Sequence, residues 1–316
     1  QMPFWIFNLL VNTINYIGMT VRWHDWPISN KIYPTILDFF GYIDFTISWK
    51  SDGFLLGMNI VFCVLQLIAM VGIVISTLLN RTERNIAVFS FMVNLIGQLM
   101  AYPFYQPGIN AFIGGYQCFG IIEGNAHTTV TIDCNKSYRL ILTIICTVMM
   151  AMYLLVCGMI RLFIFAHNLK KGGIWTTQVG IFQFAQFVLI TIYMFVSLLL
   201  RAYPLVTAIL GLVFFTLLLL IPMFYRNFQH PRGNAVQGCA MSVVVVFYIM
   251  AVIFEATGSD KPIWLQVILW IVFGILQLTI PLLVYQLTYK MSVNEWAMRQ
   301  GEVVPELTRR REQYEM

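Results

Sequence analysis

The sequence predicts an all-α polytopic membrane protein, a bundle of about eight transmembrane helices. Of its 316 residues, 59% are hydrophobic and only 10% are charged. A soluble globular domain carries about 25% charged residues, because a surface in water needs charge and a surface in lipid excludes it. Phe, Tyr and Trp make up 15% of the chain, which is typical of a protein with much buried and interfacial surface.

Apolar stretches long enough to cross a bilayer recur along the whole chain. A spanning helix needs about 20 mostly apolar residues. Such stretches occur at residues 4–21, 54–79, 86–105, 140–166, 175–200, 205–225, 236–255 and 263–287. Asn8, Asn12 and Asn15 recur along one side of the first stretch, so it either crosses the membrane or lies in the interface as an amphipathic helix. Segment 34–49 is apolar but short, and we expect it to be a surface or re-entrant helix.

Prolines mark irregular points in the later helices. Pro204 is expected to begin the sixth span, since the first residue of a helix needs no N–H group. Pro222 and Pro281 fall late in their spans and predict kinks. Pro305 predicts a turn between two helices in the tail, residues 288–316.

Lys and Arg in the connecting segments predict the orientation. With a cytosolic C-terminus, the short cytosolic connections carry Arg81, Arg84, Lys170, Lys171, Arg226 and Arg232. The opposite connections spread their basic residues over longer segments. We therefore expect a transmembrane domain at 1–287 with outer segments 22–53 and 106–138, both termini in the cytosol, and a cytosolic helical tail. The expected location is the plasma or ciliary membrane of a eukaryote. The alternative to eight crossings is seven crossings with the first helix lying in the interface.

The outer segment 106–138 is the most polar connection in the chain. Cys118 and Cys134 flank it and are predicted to form a disulfide, because disulfides persist outside the cytosol. Closing a loop of about 15 residues contributes roughly 3 kcal/mol. Asn135 begins an Asn-Lys-Ser glycosylation sequon on the same side, whereas the sequon at Asn80 would lie in the cytosol and stay bare. This loop is either a rigid extracellular cap or a surface for a ligand or partner.

No recognisable catalytic or metal-binding pattern occurs in the sequence. Gly-x-Ser-x-Gly, His-Glu-x-x-His and P-loop patterns are absent, and the six cysteines form no CxxC motif or Cys/His cluster. No span carries a carboxylate, Lys or His near its middle, although ion-coupled transport usually needs one. Arg161 lies near the cytosolic end of the fourth span and is expected to snorkel to the interface. We predict neither an enzyme nor a cofactor. Because the net charge of +5 is modest and lies in loops and tail, we predict no nucleic-acid partner either.

Amide side chains are the remaining polar groups within the spans. Asn94 and Gln98 lie four residues apart on one helix, and Gln183 and Gln186 lie three apart on another. Such groups hydrogen-bond between helices, for about 0.6 kcal/mol each, or they line a path for a polar solute. Paired amides in a dry core would favour a receptor, scaffold or subunit of a larger membrane assembly, with protein partners at the outer loop or tail. A continuous polar cavity would favour a channel or facilitative transporter for a small polar solute.

Aromatic residues cluster in the first outer segment. They are expected to anchor it at the membrane interface, and they are Trp23, Trp26, Tyr33, Tyr42 and Trp49. His24 and Asp25 lie among them. They form either a solvated pair without function or a pH-responsive one.

One connecting run carries a resemblance to a known family. The run Pro222-Met-Phe-Tyr-Arg-Asn-Phe-Gln-His-Pro-Arg-Gly-Asn234 leads from the sixth span to the seventh. It resembles the equivalent loop in the multi-span membrane region of protist TmcB-like proteins. In that family a similar region precedes cytosolic signalling domains, none of which follows within this sequence. The resemblance implies a sensory or scaffolding membrane region.

Overall fold

The computed structural model describes residues 2–24, 26–28, 32–46, 51–81, 87–119, 138–163, 181–200, 202–225, 231–258 and 262–314. Their regular structure is entirely helical. The α-helices are α1 (Met2–Trp23), α2 (Tyr33–Ile43), α3 (Asp52–Arg81), α4 (Ala87–Ala101), α5 (Tyr105–Ile113), α6 (Tyr138–Phe163), α7 (Ile181–Leu199), α8 (Pro204–Leu220), α9 (Pro231–Thr257) and α10 (Ile263–Tyr314). This confirms the all-α class.

Seven helices in the described part of the chain are long and apolar enough to cross a membrane. These stretches are Phe4–Trp23, Gly53–Ile75, Leu140–Leu162, Ile181–Leu199, Pro204–Phe224, Pro231–Thr257 and Ile263–Asn294. They coincide with seven of the eight predicted spans. The chain is therefore a membrane protein, and its outward-facing apolar side chains contact the lipid bilayer.

The remaining predicted span, 86–105, is a broken helix, and its prediction as one continuous helix is wrong. Helix α4 has 15 residues, about 22 Å at 1.5 Å per residue, against about 30 Å of hydrocarbon. A turn at residues 102–104 follows, and then α5 and a 3₁₀ turn at Gly114–Phe119. Pro103 explains the break, because it has no N–H to donate and disfavours the helical conformation of the residue before it.

The second half of the broken helix lies inside the bundle. Every residue of α5 is buried, and α5 and the 3₁₀ turn run antiparallel to α6. Arg161 donates to the carbonyl of Ala101 near one end of α6, and Thr143 Oγ1 donates to Gly115 O, 2.8 Å away, near the other. Gly108 permits the close approach, since a Cβ there would lie 2.5 Å from Tyr153 Oη. Residues 102–115 thus fill the interior beside α6.

Helix α9 forms the centre of the bundle and α10 its edge. Half of the spanning stretch of α9 is buried, and α9 packs against α1, α8 and α10. Only 11% of the spanning stretch of α10 is buried. At Gly211 of α8, a Cβ would lie 2.1 Å from Tyr248 Cε1 on α9, so α8 and α9 meet closely there.

The prolines of the later helices behave differently from one another. Helix α8 begins at Pro204 as predicted, and it passes into a π-helical turn at Ile221–Tyr225, where Pro222 lacks an N–H group. Helix α10 continues for 52 residues through Pro281 and Pro305. The predicted turn at Pro305 is therefore wrong, and none of the described contacts explains its absence.

Two of the aromatic residues in segment 22–53, Trp26 and Tyr33, pack into the bundle. Trp26 is 6% exposed, its ring contacts Phe254, and its Nε1 donates to Thr20 O at 3.2 Å. Tyr33 Oη donates to the carbonyl of Val21 at 2.7 Å. Interfacial anchoring is therefore wrong for Trp26 and Tyr33, because helices α9 and α10 supply an aromatic pocket at this end. Tyr42 is exposed, Trp23 is partly buried, and Trp49 lies outside the described residues.

Candidate functional site

A polar cavity of about 50 Å³ opens at one end of the bundle. We name this the Arg161 end. Here α6 finishes and α7 and α9 begin. The charged and amide side chains that line the cavity are Asn8, Asn12, Arg161, Gln183, Gln186 and Gln237. They come from α1, α6, α7 and α9, so the cavity exists only when four separate segments pack together.

The asparagine side of α1 faces this cavity and the core beside it. Asn8 and Asn15 are buried, and Asn12 Nδ2 donates to Asn8 Oδ1 at 2.7 Å. Leu10, on the opposite side of the helix, is exposed. In an interfacial helix the polar side would face water. The polar side of α1 instead packs inward, as in a helix of the bundle.

Arg161 lies inside the protein and does not snorkel as predicted. Its side chain is 4% exposed, and its Nε donates to Ala101 O at 2.7 Å. The helix break explains this bond. The Tyr105 N–H donates to Tyr102 O and so leaves the Ala101 carbonyl without its ordinary partner in the helix.

Aromatic rings surround the guanidinium group of Arg161. Its central carbon lies 4.9 Å from the ring centre of Tyr102, 5.1 Å from that of Tyr105 and 5.5 Å from that of Phe187. Each such cation–π contact contributes about 0.5–2 kcal/mol. Burial of a charge costs several kcal/mol, so the rings offset part of this cost.

No carboxylate in the described part of the chain forms an ion pair with Arg161. The ion pairs there join Arg22 to Asp44 at 2.7 Å and His24 to Glu255 at 3.4 Å. Both lie at the opposite end of the bundle, where α1 and α9 finish, which we name the Asp44 end. The structure thus leaves one buried positive charge next to the cavity.

Gln183 is the amide most closely connected to the broken helix. Its Oε1 accepts a hydrogen bond from Tyr102 Oη, and the side chain is 2% exposed. Its Nε2 has no hydrogen-bond partner among the described residues. An unpaired buried donor costs about 1–3 kcal/mol, so a ligand or water that accepts from it would be favoured.

Tightly packed aromatic side chains separate the cavity from the Asp44 end. Tyr193 Oη donates to Tyr248 Oη at 2.8 Å, and Phe215 stacks on Tyr248. All three side chains are fully buried. Next to this layer, Tyr105 Oη is hydrogen-bonded to Thr191 Oγ1. We name Tyr193, Phe215 and Tyr248 the aromatic layer.

The structure brings together two of the four amides that the sequence singled out. Gln183 and Gln186 line the cavity, whereas Gln98 is half-buried and is not among the lining residues. The side chain of Asn94 lies outside the described residues. So do the Cys118 side chain, Cys134 and Asn135, and the predicted disulfide and glycan stay predictions.

Other cavity residues were not predicted as a site. The asparagines of α1 were visible in the sequence as a repeat, and Arg161 was visible as a lone charge near the end of a span. Neither signal indicates the direction of the side chain. His24 faces Glu255, and Asp25, its predicted partner, lies outside the described residues.

Comparison with protein-family models, curated proteins and solved structures finds no match for this chain. Its function is therefore inferred from the geometry of the cavity.

Proposed function

We propose that the chain is a non-enzymatic multi-pass membrane receptor whose ligand binds in the polar cavity at the Arg161 end. The observation that carries this proposal is a polar cavity with a buried arginine, separated from the opposite end by the aromatic layer. Ligand sites in helical proteins commonly lie between helices and hold a few oriented polar groups. Here the polar groups sit on α1, α6, α7 and α9, so a bound ligand would change how these helices pack.

The helix that leaves this end offers a route for a signal. Thr288 of α10 lies against Gly238 of α9, one residue from the cavity residue Gln237. Helix α10 then continues to Tyr314. A movement of α9 caused by ligand binding would therefore be passed to the tail, where we expect protein partners to bind.

The expected orientation puts the Arg161 end and the tail in the cytosol. The loop with Cys118 and Cys134, closed by a disulfide, and a glycan on Asn135 would then lie outside, in the plasma or ciliary membrane. The resemblance to TmcB-like proteins also supports a sensory or scaffolding role. A related form of this proposal is a scaffold, or a subunit of a larger membrane assembly, that binds its partners through the same tail.

A facilitative transporter for a small polar solute is the second candidate, and the broken helix favours it. Transporters form their solute sites with discontinuous helices whose freed backbone groups face a cavity. The break after Ala101 next to Arg161 and the cavity fits that arrangement. In a transporter the aromatic layer would open in a second conformation.

Cysteine labelling in sealed vesicles of known orientation tests the receptor proposal. We expect N12C to react with a small, membrane-impermeant methanethiosulfonate from the Arg161 end only. L10C is the matched control, since it lies on the same helix two residues away and faces lipid, and it should stay unlabelled. Labelling of N12C from both ends, together with solute flux, would reject the receptor proposal in favour of the transporter. No labelling of N12C from either end would reject the cavity as a site.

A further inference from the structure

We infer that the cavity at the Arg161 end binds a monocarboxylate and that Arg161 holds its carboxylate group. This inference rests on the proposed receptor function and names the ligand class. A free small acid and a fatty acid from the bilayer share the same recognised group.

The buried charge of Arg161 is not balanced by a carboxylate of the described residues. The side chain of Arg161 is 4% exposed. The connecting segments at this end add further positive charge. The segment 164–180 carries Lys170 and Lys171 and the segment 226–230 carries Arg226, with no Asp or Glu, while the segment 82–86 carries Arg84 and Glu83. Net positive charge on this side of the chain attracts anions.

Two residues that line the cavity, Arg161 and Gln183, have unused hydrogen-bond donors. The only hydrogen bond of Arg161 to the described chain uses Nε, which donates to Ala101 O. The terminal nitrogens of a guanidinium form a planar fork that fits the two oxygens of a carboxylate. Gln183 lines the same cavity, and its buried Nε2 has no hydrogen-bond partner among the described residues.

The charge and the volume of the cavity further restrict the class of ligand that it can hold. One guanidinium neutralises one negative charge, whereas a phosphate dianion would leave an excess negative charge in a site of low dielectric constant. The cavity of about 50 Å³ has room for a small polar group such as a carboxylate, but not for a large lipid headgroup. A single carboxylate satisfies both conditions.

Thermal unfolding of the full chain in phosphatidylcholine nanodiscs tests this inference. Acetate is compared with chloride and inorganic phosphate at equal ionic strength. We expect acetate to raise Tm by about 5 °C at a hundredfold excess over its Kd, and chloride and phosphate to raise it less. Octanoate distinguishes the two sources, because a rise with octanoate but not acetate indicates a fatty acid from the bilayer.

Three variants test whether the Tm increase with acetate depends on the cavity at the Arg161 end. R161Q removes the charge, and N12F fills the cavity while keeping the bond from Arg161 to Ala101, so both should lose the acetate response. R22Q is the matched control, a buried arginine at the Asp44 end. It should keep the response even if its starting Tm is lower. If R161Q does not fold, N12F carries the comparison.

The inference is overturned if no carboxylate stabilises the wild-type protein, or if chloride or phosphate stabilises it equally. It is also overturned if N12F retains the acetate response or if R22Q loses it. These results leave the one-sided labelling of N12C unchanged, so failure of the carboxylate inference is distinguishable from failure of the receptor proposal.

Discussion

Replacement of Tyr153 by Phe tests how the broken helix is held. The hydroxyl of Tyr153, on α6, points at the turn between α4 and α5. It donates to Met100 O at 3.0 Å and to Phe104 O at 2.9 Å. A hydroxyl carries one hydrogen, so the two carbonyls share a single donor. The substitution removes that donor and leaves the shape of the ring unchanged.

The two carbonyls differ in what they keep after the change. Phe104 O still accepts from the N–H of Gly108 at 2.9 Å. Among the described residues, Met100 O keeps only the thiol of Cys157, whose sulfur is 3.9 Å away. One buried carbonyl therefore loses its strong partner, at a cost of about 1–3 kcal/mol. We expect Tyr153→Phe to lower the free energy of unfolding by about this amount.

Equilibrium unfolding with sodium dodecyl sulfate in mixed micelles measures the change. Tyr116→Phe is the matched control, because its hydroxyl is hydrogen-bonded to Thr147 Oγ1 at 2.5 Å in an exposed position. We expect this control to change stability by less than about 0.5 kcal/mol. Equal losses in the two variants would refute the conclusion that the Tyr153 hydroxyl secures the break.

Two further substitutions test the packing of the bundle. Gly211→Ala places a Cβ about 2.1 Å from Tyr248 Cε1, so helices α8 and α9 must separate. We expect a loss of about 1–3 kcal/mol in the same unfolding assay, and an unchanged stability would show that α8 and α9 do not meet at Gly211. Asp44→Asn leaves the buried Arg22 without its partner at 2.7 Å, for an expected loss of about 3–5 kcal/mol. A double variant with Arg22→Gln should lose less than the sum of the two single variants, and additive losses would contradict the ion pair.

Spanning helices were predictable because their signal is local. Length and apolar composition alone identify a helix that can cross a bilayer, and seven of the eight predicted stretches have this form. The eighth failed because apolar residues lie on both sides of Pro103 and conceal the break. Pro103 was the available signal in the sequence. That the residues after it form the fully buried helix α5 depends on neighbouring helices.

The site was less predictable because it depends on tertiary contacts. Gln183 and Gln186 were singled out as polar groups within a span, and both line the cavity. The direction of Arg161 follows from a carbonyl that the break leaves unpaired, some 60 residues away in the chain. The asparagine stripe of α1 has the same sequence pattern in an interfacial helix and in a bundle helix, so only packing against other helices distinguishes the two.

The position of Arg161 inside the bundle is tested most directly by nuclear magnetic resonance of ¹⁵N-arginine-labelled protein in nanodiscs, with R161K to assign its Nε–H signal. A buried Nε–H that donates to Ala101 O next to three aromatic rings should exchange slowly with water. It should also show nuclear Overhauser contacts to aromatic ring protons. A signal from Arg161 that exchanges as fast as those of solvent-exposed arginines, with contacts to lipid headgroups, would contradict the cavity and the function proposed for it.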